Sequence, residues 1–307
     1  MRPSVCISLA LSLALLATGN LQASEPVKRP PNSGEILSAS SPGDWRRIAD
    51  EDLMVIELAR GGRVLIELAP AFAPRHVANV KALVRGRYFD GLAVMRVQEN
   101  YVVQWGDAEA RKPVGAAQRT LPAEFFRALD ASLPFTPLGD VDAYAPATTE
   151  GTGFSAGFPA VRDTARSEAW LAHCPGMVGA GRDTAPDSGG GTELYAVIGH
   201  APRHLDRNVT LLGRVVQGIE HFSTLPRGTE ALGFYKSPRE RQPLRRVRLA
   251  SELPAAQRPA LEALRTDTAT WTAYVESRRN RHDDWFAEPT GHIEVCNVPL
   301  PVRAIAR

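Results

Sequence analysis

A chain of 307 residues that is 44% hydrophobic and 23% charged has ordinary globular composition, long enough for one large domain or two small ones. Its formal net charge is +2, and its arginines are dispersed except around Arg278, Arg279 and Arg281, a run that reads as a solvated helix end. Composition and charge give no basis for a nucleic-acid surface.

Residues 1–23 carry Arg2, an apolar run over 5–17 and Ala23 before Ser24, the pattern of a secretory signal peptide cleaved after Ala23. The run is too short for a comfortable membrane span. The expected product is a periplasmic or secreted protein with no stable membrane insertion. Removing the leader takes Cys6 and leaves Cys174 and Cys296. Two cysteines in an oxidising compartment point to one disulfide, which would tie the C-terminal tail to the domain. Zinc is the alternative, because His173 and His292 would complete a set of two cysteines and two histidines. Adjacent His173 and Cys174 are not the usual spaced pair of ligands.

Residues 24–50 are rich in proline, serine and charge with no sustained period, and read as a flexible linker. Strand-like runs over 53–58 and 63–68 flank Arg60-Gly61-Gly62, a hairpin with a glycine turn. Pro74 opens a helix where proline costs least. Val77, Val80, Leu83 and Val84 follow at helical spacing, and Gly86 is the stop. Apolar runs over 92–97 and 101–105, around the polar turn Gln98-Glu99-Asn100, give a second hairpin. By strand alternation Arg96 shares a face with Val94 and Gln98. If that face is buried, the guanidinium needs a polar partner, and Gln104 on the paired strand is the candidate. On an edge strand in water it needs none.

The pattern blurs over about 110–172, and residues 140–158 are rich in glycine, alanine, threonine and proline. A loop that long is either functional or disordered. Gly153, Ser155 and Gly157 match the G-x-S-x-G elbow, whose serine needs a sharp strand-to-helix turn. With no strand expected before it and Pro159 close behind, the match reads as chance. The Asp187-Ser188-Gly189-Gly190-Gly191 loop lacks the lysine and hydroxyl ending of a phosphate-binding loop. Short strands are expected at 176–179, 194–198 and 210–215, a short helix with Ile219, Phe222 and Leu225, and a closing strand with Leu244, Val247 and Leu249. Beyond Pro254 the pattern gives a long amphipathic helix over 258–278 and an extended tail over 293–301, packed on the rest by Trp271 and Trp285.

Tyr88-Phe89-Asp90-Gly91, Arg96-Val97, Tyr101, Gln104 and Gly106-Asp107 together resemble the active-site hairpin of the cyclophilin family of peptidyl-prolyl cis/trans isomerases. Residues 62–68, Pro70, Ala73-Pro74, Val77 and Asn79 resemble that family's opening strand and first helix. Gly176-Met177-Val178, Tyr195, Leu205-Asp206 and Gly213-Arg214-Val215 resemble its second half in the same order. The resemblance covers roughly residues 52–250. It implies a mainly β protein, a closed eight-stranded antiparallel barrel capped by two helices over 51–250. A long insertion at about 110–172 and a helical C-terminal extension and tail over 251–307 would complete it.

The resemblance further implies rotation of X-Pro bonds in proline-containing polypeptide clients, by a monomer that needs no cofactor or metal. It gives Arg96 the role of donor to the prolyl nitrogen and Gln104 that of orienting Arg96. Tyr101, Val102, Tyr195 and Leu205 would line an apolar proline pocket, and Gly181, Arg182 and Glu193 would meet the substrate. Several positions depart from the family. Tyr101 and Tyr195 stand where phenylalanine is usual, each with a hydroxyl expected to reach water. Glu193 replaces a glutamine, and as an anion near Arg96 it would lock the guanidinium or weaken its donation. Arg182 aligns with an asparagine, and His204 and Val209 with a tryptophan and a histidine. These departures keep a second reading open, a module that binds proline segments with little turnover.

Overall fold

The structure, a computed structural model, describes residues 29–283 and 285–305, so the leader lies outside the described residues. Asn32 caps the short helix α1 (Ser33–Ser38) through a reciprocal capping box with Glu35. The chain then pairs at once, as β1 (Trp45–Arg47). Two strands follow, β2 (Leu53–Leu58) and β3 (Arg63–Leu68), and then helix α2 (Pro74–Arg85). Helix α2 starts at Pro74 behind Ala73, which has no capping side chain. The missing cap comes from Glu124, far along the chain, whose carboxylate accepts from the backbone N–H groups of Arg75 and His76.

The second hairpin is β4 (Ala93–Val97) and β5 (Val102–Gly106). The inserted segment supplies β6 (Arg127–Ala128), β7 (Thr136–Pro137), β8 (Thr152–Ser155), β9 (Phe158–Asp163) and β10 (Glu168–Leu171). The chain resumes with β11 (Met177–Ala180), β12 (Glu193–Val197), β13 (Leu211–Gln217), helix α3 (Glu220–Ser223) and β14 (Gln242–Leu249). Last come β15 (Leu261–Leu264), helix α4 (Ala269–Arg279) and β16 (Val302–Ala304).

Eight antiparallel strands close in the order β11-β12-β5-β4-β14-β2-β3-β13. Closure leaves no free edge to template aggregation. Met54, Ile56, Val64, Ile66, Val103 and Trp105 fill the interior together with Val77, Val80 and Val84 of α2 and Phe222 of α3. The Trp105 and Phe222 rings meet at 5.1 Å.

The segment expected as a loop folds instead into a five-stranded sheet, β6-β10-β9-β8-β7. Its apolar side chains, Phe154, Phe158 and Trp170, form a second core with Trp45, Trp271 and Tyr274. Two other readings fail with it. Residues 29–50 are not a free linker, because β1 pairs with β15, which pairs with β16 in a three-stranded sheet. The helix expected over 258–278 begins only at Ala269, since residues 261–264 are taken into that sheet. Trp271, 2% exposed, anchors the extension as expected, while Trp285, expected to do the same, is 83% exposed with its ring against the neighbouring Phe286. Nor is the arginine run a purely solvated helix end: Arg279 Nε donates to Asp140 of the insertion at 2.9 Å.

Cys174 and Cys296 are joined, with an S–S distance of 2.09 Å. The bond leaves the zinc alternative without its thiolate ligands. Its histidines are engaged elsewhere, His173 with Asp206 and Tyr195 and His292 with Asp140. Ser155 ends β8 and pairs with Phe158, across a turn whose central residues Ala156 and Gly157 both have positive φ. A strand does precede the serine, contrary to expectation. Because a strand rather than a helix follows, and Ser155 Oγ is buried without a partner among the described residues, the elbow geometry is absent.

Candidate active site

The β4–β5 ladder shifts register between Val94 and Arg96, so that Val94 pairs with Trp105 and Arg96 with Gln104. This is a β-bulge. Unbroken alternation would put Arg96 on the face of Val94, inside the barrel. The extra residue, Met95, turns Arg96 to the outer face that Gln98 and Gln104 share, and Val94 and Val97 stay in the core.

On that face the guanidinium of the half-buried Arg96 is held from three sides. Its Nη1 donates to Gln104 Oε1 at 3.2 Å, its Nη2 to Gln98 Oε1 and its Nε to the Leu232 carbonyl at 2.7 Å. The rings of Tyr101 and Phe234 lie 5.7 and 5.4 Å from its central carbon. Burial lowers its pKa from the usual arginine value, with the Tyr101 hydroxyl opposing, yet a guanidinium keeps its charge at any physiological pH. A guanidinium has five N–H groups. Three of them have acceptors among the described residues, which leaves two for a substrate.

Gln104 is itself fixed, its Nε2 donating to Glu193 Oε2 at 2.8 Å. A carboxylate only accepts, so Glu193 sets the amide with Nε2 toward itself and Oε1 toward Arg96. The anion therefore does not pair with Arg96 directly, as its departure from the family had suggested. Burial above all, with the Asp107 charge, raises the Glu193 carboxyl above the usual range against the hydrogen bond from Gln104. Gly181 backs this pair: a Cβ there would lie 3.2 Å from Gln104 Nε2.

Beside the guanidinium is an apolar patch of Val102, Tyr195 and Val197, with Tyr101 and Val209 packed against it. These residues share the outer face because Gln104 pairs with Tyr195 across β5 and β12. Leu205 sits half-buried on the neighbouring turn 203–206, between His204, whose ring stacks on Tyr101 at 6.4 Å, and Asp206. The Tyr195 hydroxyl does not reach water: it is buried against His173 Nε2 at 2.9 Å. Arg182 does not point into the patch. It is exposed and bonds the carbonyls of Asn208, Asp183 and Thr184, with Phe125 against it.

Sequence reasoning missed Leu232 and Phe234. Gly233, with φ +78°, presses the turn onto the hairpin so closely that a Cβ would come within 2.6 Å of Gln98 Cα. That approach puts the Leu232 carbonyl on Arg96. A glycine before an aromatic residue in an otherwise unassigned stretch was the only trace of it.

Comparison with known proteins gives the geometry its relatives. The family model described as "Cyclophilin type peptidyl-prolyl cis-trans isomerase/CLD" matches residues 53–251. A "Probable peptidyl-prolyl cis-trans isomerase" of Brucella suis is 28% identical over 191 residues, 62% of this chain and 80% of that protein. Its counterpart in Brucella abortus is 27% identical over the same share. The crystal structure of cyclophilin AquaCyp293 from Hirschia baltica superposes with a TM-score of 0.68 at 26% identity, covering 89% of this chain and 98% of that one. With the match spanning the closed barrel and the hairpin that carries Arg96, the chain belongs to the cyclophilin-type peptidyl-prolyl cis-trans isomerase family.

Proposed function

We propose that the outer face around Arg96 accelerates rotation about X-Pro bonds in polypeptide clients, and that these clients are exported proteins in the course of folding. The observation that carries the reading is a guanidinium fixed on three sides beside the apolar patch, with two N–H groups to spare.

Rotation about an X-Pro bond breaks no σ bond, but the twisted amide loses resonance behind a barrier of about 18–20 kcal/mol. The twisted state carries a localised lone pair on the prolyl nitrogen. A donor aimed there binds the twisted state better than either planar one, which is catalysis by differential binding. One charged hydrogen bond contributes about 1.5–3 kcal/mol, or roughly ten- to a hundredfold in rate. In this reading Val102, Tyr101, Tyr195 and Leu205 grip the proline ring while the preceding carbonyl swings, and Gln104 keeps Arg96 in place. Preorganisation of that kind supplies the remaining acceleration.

Export is supported by the N-terminal sequence pattern and by the disulfide, which suits an oxidising compartment. Sequencing the N-terminus of the protein recovered from the periplasm should find Ser24 first, and an intact Met1 there would remove that part. The activity itself is tested by isomerisation of an Ala-Pro peptide with the full protein. Binding without acceleration would replace the isomerase with a proline-binding module.

A further inference from the structure

The back of the apolar patch holds a connected set of buried polar groups that the isomerase reading does not use. The ring of Tyr195 lies across β11 at Gly179, where any Cβ would come within 2.4 Å of its hydroxyl oxygen. Only glycine leaves room for this ring. The hydroxyl meets His173 Nε2 at 2.9 Å, with the two rings parallel to within 9°. His173 is fully buried, and its Nδ1 lies 3.0 Å from Asp206 Oδ1, which also accepts the His173 backbone N–H at 2.8 Å. Asp206 Oδ2 takes Arg203 Nε at 2.7 Å, and Arg203 Nη1 donates to Asp142 of the inserted segment at 2.8 Å.

The protons in this chain have one consistent arrangement. Burial holds the Tyr195 hydroxyl protonated, so it donates. Burial also lowers the His173 pKa against the pull of Asp206, so the ring is neutral, accepting at Nε2 and donating from Nδ1. Asp206 stays ionised, because His173 and Arg203 outweigh the burial that opposes it. The same turn, 203–206, carries Leu205 and the His204 ring stacked on Tyr101. One set of hydrogen bonds thus holds both Tyr195 in the patch and the turn whose His204 ring lies on Tyr101.

We propose that His173 is a positioning residue of the isomerase site: through Tyr195 and Asp206 it sets the floor and one wall of the proline pocket, and Asp142 of the insertion anchors the set. The proposal rests on the isomerase reading given above. Because the pocket grips proline in planar and twisted states alike, loosening it weakens uniform binding, which appears in KM rather than kcat. The groups that face His173 are Tyr195 on β12 and Arg203, His204 and Asp206 on the turn, with Asp142 reaching it through Arg203.

The test uses the full protein and proline-peptide kinetics as a function of pH, with four variants. His173→Ala should raise KM about three- to tenfold, the factor for one lost hydrogen bond, with kcat within twofold. His173→Gln keeps an acceptor near the place of Nε2 and cannot titrate. It should bring KM back to within about twofold of wild type. Wild-type KM should rise in acid, below the ordinary histidine range, as the ring gains a proton and ceases to accept from Tyr195. Tyr195→Phe, which folds with the ring the family usually has there, should lose that acid limb, as should His173→Gln, whereas His204→Gln should keep it. A wild-type acid limb that survives in Tyr195→Phe and His173→Gln, or a KM unmoved in His173→Ala, overturns the proposal. Arg96→Ala run alongside separates the two claims: if it is as active as wild type, the isomerase reading itself is at fault.

Discussion

Replacing Cys296 by serine opens a covalent loop whose ends lie 122 residues apart. In the chain-entropy treatment the loop restrains the unfolded chain, and a closure of this length corresponds to about 5 kcal/mol at 25 °C. That figure is an upper bound, because residual structure in the unfolded state reduces it, and native disulfides usually contribute about 2–5 kcal/mol. The loop here encloses most of the second half of the barrel and the whole of α4, and Cys174 lies in the second core with Trp271 and Val295. Urea unfolding of Cys296→Ser should therefore show a midpoint lowered by an amount equivalent to about 2–5 kcal/mol. Wild type with reductant should fall to the same midpoint, and reductant should leave the variant unmoved. If wild type and variant unfold together under oxidising conditions, the bond does not form in the protein and the tail is held by packing alone.

Three further outcomes follow from buried groups. Glu67 is enclosed by Arg214 at 2.8 Å and Arg46 at 2.6 Å, which hold its carboxyl below the usual range although burial alone would raise it. Glu67→Gln strands both cations and should cost about 3–5 kcal/mol at neutral pH. A depressed carboxyl stabilises above its unfolded pKa and stops doing so as pH falls through the folded one, so wild type should lose this advantage only in acid and the variant should show no such loss. Equal acid titrations of stability would refute the pairing. Glu193 has the opposite sign. Its raised carboxyl favours the fold below the unfolded pKa and disfavours it as pH rises through the folded one. Glu193→Gln should be at least as stable as wild type at neutral pH and keep kcat/KM within about threefold, since a glutamine oxygen still accepts from Gln104 in a bond of about 1 kcal/mol. A collapse in activity would show that the charge itself serves the reaction. Trp271, edge-on to Phe154 at 4.8 Å, joins the extension to the inserted sheet. Trp271→Ala should cost about 3–5 kcal/mol in denaturant unfolding, and a loss below 1 kcal/mol would mean that the two segments do not share a core.

The parts of the fold that were legible in the sequence are those written in short-range pattern. Two β-branched-rich apolar runs flank Gly61 and Gly62, and Val77, Val80 and Val84 repeat at helical spacing, so the strands and helix α2 fall where the pattern puts them. The chain from 261 to 264 was misread because leucines three apart suit a helix turn, while pairing with β1 and β16 decides for a strand. Nothing local marks that pairing, since β1 lies in a stretch of linker composition. The inserted sheet escaped notice because its strands are two to six residues long and broken by proline and glycine. At the site, the hairpin pattern gave Gln104 as the partner of Arg96, as the structure has it, and the family resemblance gave Tyr195, but the face on which they meet was not legible. Val94 and Met95 are both apolar, so no pattern shows which one the bulge displaces. The Tyr195 hydroxyl, expected in water, found a histidine supplied from beyond the end of the inserted sheet.

The most direct measurement is the catalysed exchange rate of a saturating Ala-Pro peptide, by NMR line shape, for wild type and Arg96→Ala. The charged hydrogen bond to the prolyl nitrogen predicts a fall of roughly ten- to a hundredfold in kcat, with peptide affinity changed only a few-fold. Equal exchange rates in the two proteins would mean that the guanidinium of Arg96 does not meet the turning bond.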